Sequence, residues 1–368
     1  MRAAVLEAYG RPLQIYDDVE IEPPGAGEVR VRVQHCGVCH SDLSVVEGVL
    51  PAPVPTILGH EAAGMVEEVG EGVSGLSPGD PVVLTACPPC GSCYWCQRGE
   101  FSICVNSLGL VTSTLPDGGT RLSRQGRVLY RGLGVGAFGE LAIVQAAGAV
   151  KVPEGVPLDV ACVVGCAVQT GVGAVINTAK VEPGATVLVT GLGGVGLSIV
   201  QGAVLAGASR VIVSDPVPER REAALRFGAT DALDPTETEV ISATRELTGG
   251  IGADYAFEAA GRSALIDLCL QATRSGGTTV IVGVPPMDDP LTISPVALFQ
   301  TTEKKLLGSL LGSVHAARDI PRLIALWQAG RLDLNALVTA RRPAHEVNEA
   351  LDDLREKRGI RTVLSFSC

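Results

Sequence analysis

The sequence predicts an α/β protein made of a β-rich part and a doubly wound parallel sheet, and three observations predict it. Over the middle of the chain, strand-length apolar runs alternate with helix-length segments: Thr186–Thr190, a small-residue helix at 197–206, Arg210–Ser214, a helix at 218–227, Ala253–Glu258, a helix at 263–273 and a strand at 278–284. Strands separated regularly by helices pair in parallel, with helices covering both faces of the sheet. Residues 1–150 instead carry Pro-Gly turns and short alternating strands such as Val29-Arg30-Val31-Arg32-Val33. A period of two puts one face in a core and the other in water, which argues for antiparallel pairing. The chain then ends in helices at 320–328 and 345–357 and a strand at Arg361–Ser365, a mixed tail expected to rejoin the first part. The expected domains are therefore 1–167 with 310–368, and 168–309. Length and composition agree with two cores: 368 residues are 46% hydrophobic, and 45 glycines against 4% aromatics imply small-residue packing around tight turns.

A net charge of −11 argues against nucleic acid or an anionic membrane as a partner. The first seven residues lack the apolar stretch of a signal peptide. The longest apolar region, 187–208, is broken by six glycines and reads as strand, turn and helix, not as a membrane span. Eleven cysteines without an export signal point to a reducing compartment, the cytoplasm, with thiols used for metal.

Four of those cysteines lie together: Cys90, Cys93, Cys96 and Cys104 follow the spacing C-x2-C-x2-C-x7-C. Four thiolates on one loop suit a closed tetrahedral zinc site with no open position, which makes that zinc a structural staple. The alternative, a disulfide cluster, would close strained small loops in a chain with no mark of secretion.

Gly191-Leu192-Gly193-Gly194-Val195-Gly196 follows a predicted strand and opens a predicted helix, the setting in which G-x-G-x-x-G holds a dinucleotide pyrophosphate. The glycines allow a tight turn, and the helix start offers free N–H groups. Asp215 ends the next strand, 19 residues after Gly196. A carboxylate there accepts from a ribose diol and repels a 2′-phosphate, so NAD is expected over NADP. The other reading makes Asp215 a helix cap, and the neighbouring Arg220 and Arg221 leave room for some NADP tolerance.

Cys36-Gly37-Val38-Cys39-His40 admits three readings. C-x-x-C-H attaches haem in exported proteins, and C-x-x-C serves as a redox dithiol. The third reading takes Cys39 alone as a zinc ligand, joined by His60 and by Cys166, about 20 and then 106 residues further on. Two thiolates and an imidazole leave the open position that a catalytic zinc needs. Spacing alone does not bring these three together.

The chain resembles the zinc-dependent medium-chain alcohol dehydrogenase family from end to end. The matching pieces are Cys36 to Asp42, Gly59-His60-Glu61, the four-cysteine lobe, Gly165-Cys166 with Thr170-Gly171, the glycine turn with Asp215, Val282 to Pro286, and Ile360-Arg361-Thr362. The resemblance implies a GroES-like catalytic domain, with its zinc lobe at about 87–105, and a Rossmann NAD-binding domain. It implies a catalytic zinc on Cys39, His60 and Cys166, and a structural zinc on Cys90, Cys93, Cys96 and Cys104. Glu61 would stand behind the catalytic metal and approach it during ligand exchange, and Asp42 would orient His60. Ser41 would take the alcohol proton. His40 and Arg361 would face the cofactor pyrophosphate, and Thr170, Val195 and Val284 would pack around the nicotinamide. The implied reaction is the reversible oxidation of a primary alcohol to an aldehyde by hydride transfer to NAD, with zinc as Lewis acid.

Two departures refine that expectation. In many relatives a histidine two residues after the position of Asp42 ends the proton relay; here Leu43-Ser44-Val45-Val46 has none, so Ser44 and water are the expected exit. The insertion containing Thr114 to Gly118 and Arg121 to Ser123 looks like the loop of the class III, glutathione-dependent branch. That branch's two anchors for a glutathione adduct fall at Leu50 and at 105–108, which carry neither the acid nor the arginine. Ala86 stands where relatives often place a bulky aromatic. With Leu50 and Leu108 it suggests an apolar pocket for longer aliphatic, aromatic or terpenoid alcohols. The alternatives are a polyol or S-hydroxymethylglutathione dehydrogenase, a non-catalytic NAD-binding relative, and an enzyme that passes electrons from a tightly held cofactor to a carrier. A homodimer or homotetramer is expected, through apolar strand edges near 292–299 and 306–311.

Overall fold

The computed structural model describes residues 1–366. The chain forms two compact units: 1–166 with the segment from His315 onward, and Ala167–Val314. Among the described residues no single helix is long and apolar enough to cross a membrane.

The first unit is built on a seven-stranded sheet. Its long strand Glu28–Gly37 pairs antiparallel with Glu61–Val69, Leu141–Gln145 and the last strand, Arg361–Ser365. That last pairing carries the end of the chain back into this unit: Val363, Leu364 and Ser365 register with Gly37, Cys36 and His35. The pairing is not antiparallel throughout, because Val338–Pro343 lies parallel to Arg361–Ser365 and Tyr130–Arg131 parallel to Thr56–Ile57. Alternation works as read: Val29, Val31 and Val33 are buried, while Arg30 and Arg32 reach out to Glu67.

The second unit holds a six-stranded, all-parallel sheet in the order Asp231–Leu233, Arg210–Ser214, Thr186–Thr190, Ala253–Glu258, Thr273–Ile281, Lys305–Gly308. Counted along the chain this order is 3-2-1-4-5-6, so it reverses between Thr186–Thr190 and Ala253–Glu258. Ligands bind doubly wound sheets outside the strand ends at such a reversal. The core is aliphatic. Leu188, Ile212, Ala256, Cys269 and Ala272 are fully buried together, and burying one leucine contributes roughly 2 kcal/mol.

Several expected boundaries move. The second unit extends to Val314 instead of 309, because the Leu311–Ser313 turn is tied to it: the Gly312 carbonyl accepts from Asn177 Nδ2 at 3.2 Å. The strand expected at 278–284 runs Thr273–Ile281. Its polar, glycine-containing start looks like a loop in sequence but pairs with Ala253 and Tyr255 across a bulge. At its other end, the amides of Val282 and Gly283 turn to the Glu258 carbonyl. The apolar edge expected at 292–299 is not a strand: Val296–Thr301 is a helix, with Val296 and Leu298 exposed.

Candidate active site

Cys39 ends the turn after the long strand and caps the helix His40–Val46. The Asp42 side chain, fully buried on that helix, organises the site. One carboxylate oxygen accepts from the Cys39 amide at 3.0 Å. The other accepts from the Gly59 amide at 2.9 Å and lies 3.3 Å from His60 Nδ1. An Nδ1 proton donated to Asp42 leaves Nε2 as the lone-pair nitrogen of His60. Burial works against a charged His60, but Asp42 and Cys39 together outweigh it and hold the imidazole well above its ordinary pKa.

Cys166 completes the group. The ligand atoms of Cys39, His60 and Cys166 all lie within 4.8 Å of one another, in a buried setting. Two donors about 2.3 Å from one tetrahedral ion stand roughly 3.8 Å apart, so a single zinc reaches all three. The Cys166 thiol donates to Cys39, and with Arg361 and His60 it holds Cys39 well below the usual thiol range. The same hydrogen bond and burial push Cys166 up. Two sulfurs competing for one proton beside an imidazole are a donor set that a dication satisfies by replacing that proton.

Behind the three ligands lies a buried ion pair. Arg361 Nε stands 3.3 Å from Glu61 Oε2, and Arg361 Nη1 donates to the Val38 carbonyl at 2.8 Å. Glu61 fits only because residue 37 is glycine; a Cβ there would meet Glu61 Oε2 at 2.2 Å. Arg361, expected to face a cofactor, is 4% exposed and turns its Nη1 donor and its charge to partners inside its own unit. Ser41 is half-buried, with its Oγ 3.9 Å from Cys39 Sγ, and His40 is exposed on the same turn. Cys36, the other half of the C-x-x-C, is buried on the strand, raised by burial, and stands outside the ligand group.

The four lobe cysteines also converge, their sulfurs within 4.8 Å of one another. Cys93 and Cys104 sulfurs are 3.8 Å apart, far longer than a disulfide, and every described cysteine is a free thiol. Backbone amides point at the sulfurs: Cys93 N to Cys90 at 3.3 Å, Cys90 N and Asn106 N to Cys104 at 3.2 and 3.4 Å. Amides from Ser92 and Cys93 favour the thiolate of Cys90 and bring it down to about 6. Burial pushes Cys96 and Cys104 the other way, and four converging sulfurs fit a closed zinc site that would take them as thiolates.

In the second unit, the glycine turn joins Thr186–Thr190 to the helix Gly194–Leu205, whose start no side chain caps. The turn is tight enough that a Cβ on Gly196 would meet the Gly191 carbonyl at 1.8 Å. Asp215 closes it from the side. One carboxylate oxygen accepts from Leu192 N at 2.7 Å and the other from Val217 N at 2.8 Å. Asp215 is thus a backbone clamp beside the glycine turn; it is not the cap of the next helix, Pro218–Arg226, which starts at Val217 with no side-chain cap. Arg221 is committed to Asp234 and to the Asp215 carbonyl, and Arg220 is half-buried. Thr170 is buried, Val195 half-buried and Val284 exposed. Sequence reasoning missed Glu258. It ends its strand buried, and one oxygen accepts from the amides of Ala260 and Gly261, fastening the loop there. An acid at the end of a strand, three residues before a glycine, was the available signal.

Of the residues expected to line an apolar pocket, Ala86 is buried, Leu50 half-buried and Leu108 exposed; the small cavity beside Ala86 has mixed walls, with Asn106, Arg131 and Gln145 next to Leu115 and Val144.

The comparisons with known proteins show the family. Residues 25–154 match the alcohol dehydrogenase GroES-like domain and residues 194–329 the zinc-binding dehydrogenase domain. An alcohol dehydrogenase zinc-binding domain protein from Burkholderia ambifaria is 36% identical, with a TM-score of 0.94 over 100% of this chain and 99% of that one. The chain belongs to the zinc-dependent medium-chain alcohol dehydrogenase family. Other members of known structure include the benzyl alcohol dehydrogenase of Acinetobacter calcoaceticus, at 30% identity and a TM-score of 0.93 over 100% and 99% of the two chains. A zinc-binding dehydrogenase from Sinorhizobium meliloti 1021, bound to NADP, is 25% identical with a TM-score of 0.80 over 99% and 98%. As a zinc alcohol dehydrogenase, the chain is an oxidoreductase that uses zinc and a nicotinamide cofactor.

Proposed function

We propose that this zinc alcohol dehydrogenase interconverts primary alcohols and aldehydes with NAD, preferring substrates larger than ethanol, benzyl-type alcohols among them. The observation that carries the reading is the convergence of Cys39, His60 and Cys166 with Ser41 beside them. Cys39, His60 and Cys166 would hold a zinc that would supply Lewis acidity, and the glycine turn would hold the pyrophosphate of a dinucleotide whose nicotinamide would supply the hydride acceptor.

The chain's own residues do the rest. Asp42 fixes the His60 tautomer and the Cys39 turn, so the three ligands need no rearrangement. Ser41 Oγ is the proton acceptor placed next to the ligand set, and Ser44, three residues on in the same helix, is the next hydroxyl along it. The Glu61–Arg361 pair holds a charge behind the ligands without taking a coordination position. In the second unit the uncapped helix start receives a pyrophosphate, and Asp215 offers a carboxylate to a ribose diol. With Arg221 committed to Asp234, that carboxylate favours NAD. The small Ala86 and the relative named for benzyl alcohol support the larger substrates.

The test is nicotinamide reduction with NAD and NADP over alcohols from ethanol to benzyl, cinnamyl and geranyl, before and after zinc chelation. Chelator-sensitive turnover of the larger alcohols with NAD is expected. No turnover of any alcohol by protein carrying its full zinc would overturn the reading in favour of a non-catalytic relative or a tightly held cofactor.

A further inference from the structure

Beneath the segment that follows the four-cysteine lobe lies a small cavity walled by Thr85, Ala86, Asn106, Thr114, Arg131 and Gln145. It leaves about 10 Å³ for the centre of a water-sized species, which is room for one small occupant. Arg131 is the unusual wall. It is 3% exposed, and its one matched donor is Nη2, to the Gly134 carbonyl at 2.8 Å. Nε is buried with no acceptor. Among the described residues no carboxylate lies within ion-pair distance of it, so the charge is buried unpaired. The nearest acids are engaged elsewhere: Glu28 with Arg121 at 2.8 Å and with the Gly25 amide, and Asp117 with Arg121. Burial accordingly pulls the Arg131 guanidinium down to about 10.

Two more buried polar atoms beside it lack partners. They are Gln145 Oε1, in the cavity wall, and the Oγ of Ser113, whose carbonyl accepts from the Arg131 amide at 2.9 Å. A carboxamide turned end for end keeps its shape and presents its N–H groups instead. A buried cation facing a cavity, with amide and hydroxyl donors around it, lacks only a negative charge, and leaving it so is costly.

We propose that this cavity binds a small anionic group between the Arg131 guanidinium and the Gln145 amide. A free halide and a carboxylate borne by the substrate share this chemistry. The second source rests on the substrate reading above, through Ala86, which stands in the same wall. The zinc-loaded enzyme and Arg131→Met are melted in sodium chloride, in sodium bromide and in a large-anion salt of equal ionic strength. Wild type is expected to show a saturable halide stabilisation that Arg131→Met lacks. Crystals of wild type in bromide should show an anomalous peak beside Arg131, a readout that needs no variant. In the second arm, kcat/KM is compared for a hydroxymethyl benzoate and its methyl ester, with and without chloride. A preference of about tenfold for the acid, competed by chloride and lost with Arg131→Met, assigns the site to the substrate. A halide response without that preference assigns it to a free anion. Equal halide response in both proteins, no bromide peak and no acid preference would overturn the proposal and leave water in the cavity. If no alcohol is turned over at all, the melting and bromide measurements still decide it.

Discussion

At the scale of single residues, Asp42 carries the most. Its two oxygens serve Cys39, Gly59 and His60 at once. Asp42→Asn keeps the volume but presents an N–H₂ where one of those amides donates. Zinc affinity is expected to fall about tenfold to a hundredfold, read by competition with a chromogenic chelator; unchanged affinity would remove Asp42 from the site. Ser44 stands where relatives hold a relay histidine. With no imidazole to titrate, the rise of rate with pH should be shallower or shifted relative to histidine-bearing relatives, and Ser44→Ala should alter the pH–rate profile. A profile indifferent to Ser44→Ala takes Ser44 out of the relay. Asp215→Ala removes the carboxylate offered to the ribose. The ratio of kcat/KM for NADP to that for NAD should rise by about tenfold or more, some 1.4 kcal/mol. An unchanged ratio would leave Asp215 as a clamp on Leu192 and Val217 alone.

At the scale of elements, the strand–turn–helix around Gly191–Gly196 is bound by sterics more than by propensity. Gly196→Ala forces a methyl group onto the Gly191 carbonyl. NAD affinity should drop well over tenfold by equilibrium dialysis, while zinc content stays at the wild-type value, since both ligand groups lie in the other unit. Loss of zinc together with NAD would mean that the whole chain had misfolded. The helix and strand positions were legible because period and punctuation are local: Arg210–Ser214 and Arg361–Ser365 fall where the apolar runs place them. The strand at Thr273–Ile281 was misjudged because its first residues are polar. Their extended form is imposed by pairing with Ala253 and Tyr255, which no local pattern encodes.

At the scale of the whole molecule, many carboxylates are held low by basic or backbone partners: Asp18 by Arg124, Asp80 by Lys151, Asp117 by Arg121 and Glu239 by Ser242. A folded pKa below the unfolded one gives stability that is present above the unfolded value and lost as pH falls through the folded one. Glu258 runs the other way, because burial raises it against the amides that hold it. The lowered acids outnumber it, so the melting temperature should fall as pH drops below about 4. A melting temperature flat from neutral pH to below that range would contradict this.

What the sequence determined by itself was everything carried by short-range pattern. Four cysteines within one loop can bind one ion in almost any fold, so the lobe was readable before any fold was known. A G-x-G-x-x-G turn after an apolar run likewise carries its own reason. Tertiary structure decided the rest. Cys39, His60 and Cys166 stand far apart along the chain, and only the sheet of the first unit and Asp42 bring them within reach of one ion. The polar wall beside Ala86 and the unpaired Arg131 were invisible, since an arginine between Tyr130 and Gly132 reads as surface until the fold closes over it. Burial of charge is a property of the packed chain, and no window of neighbouring residues encodes it.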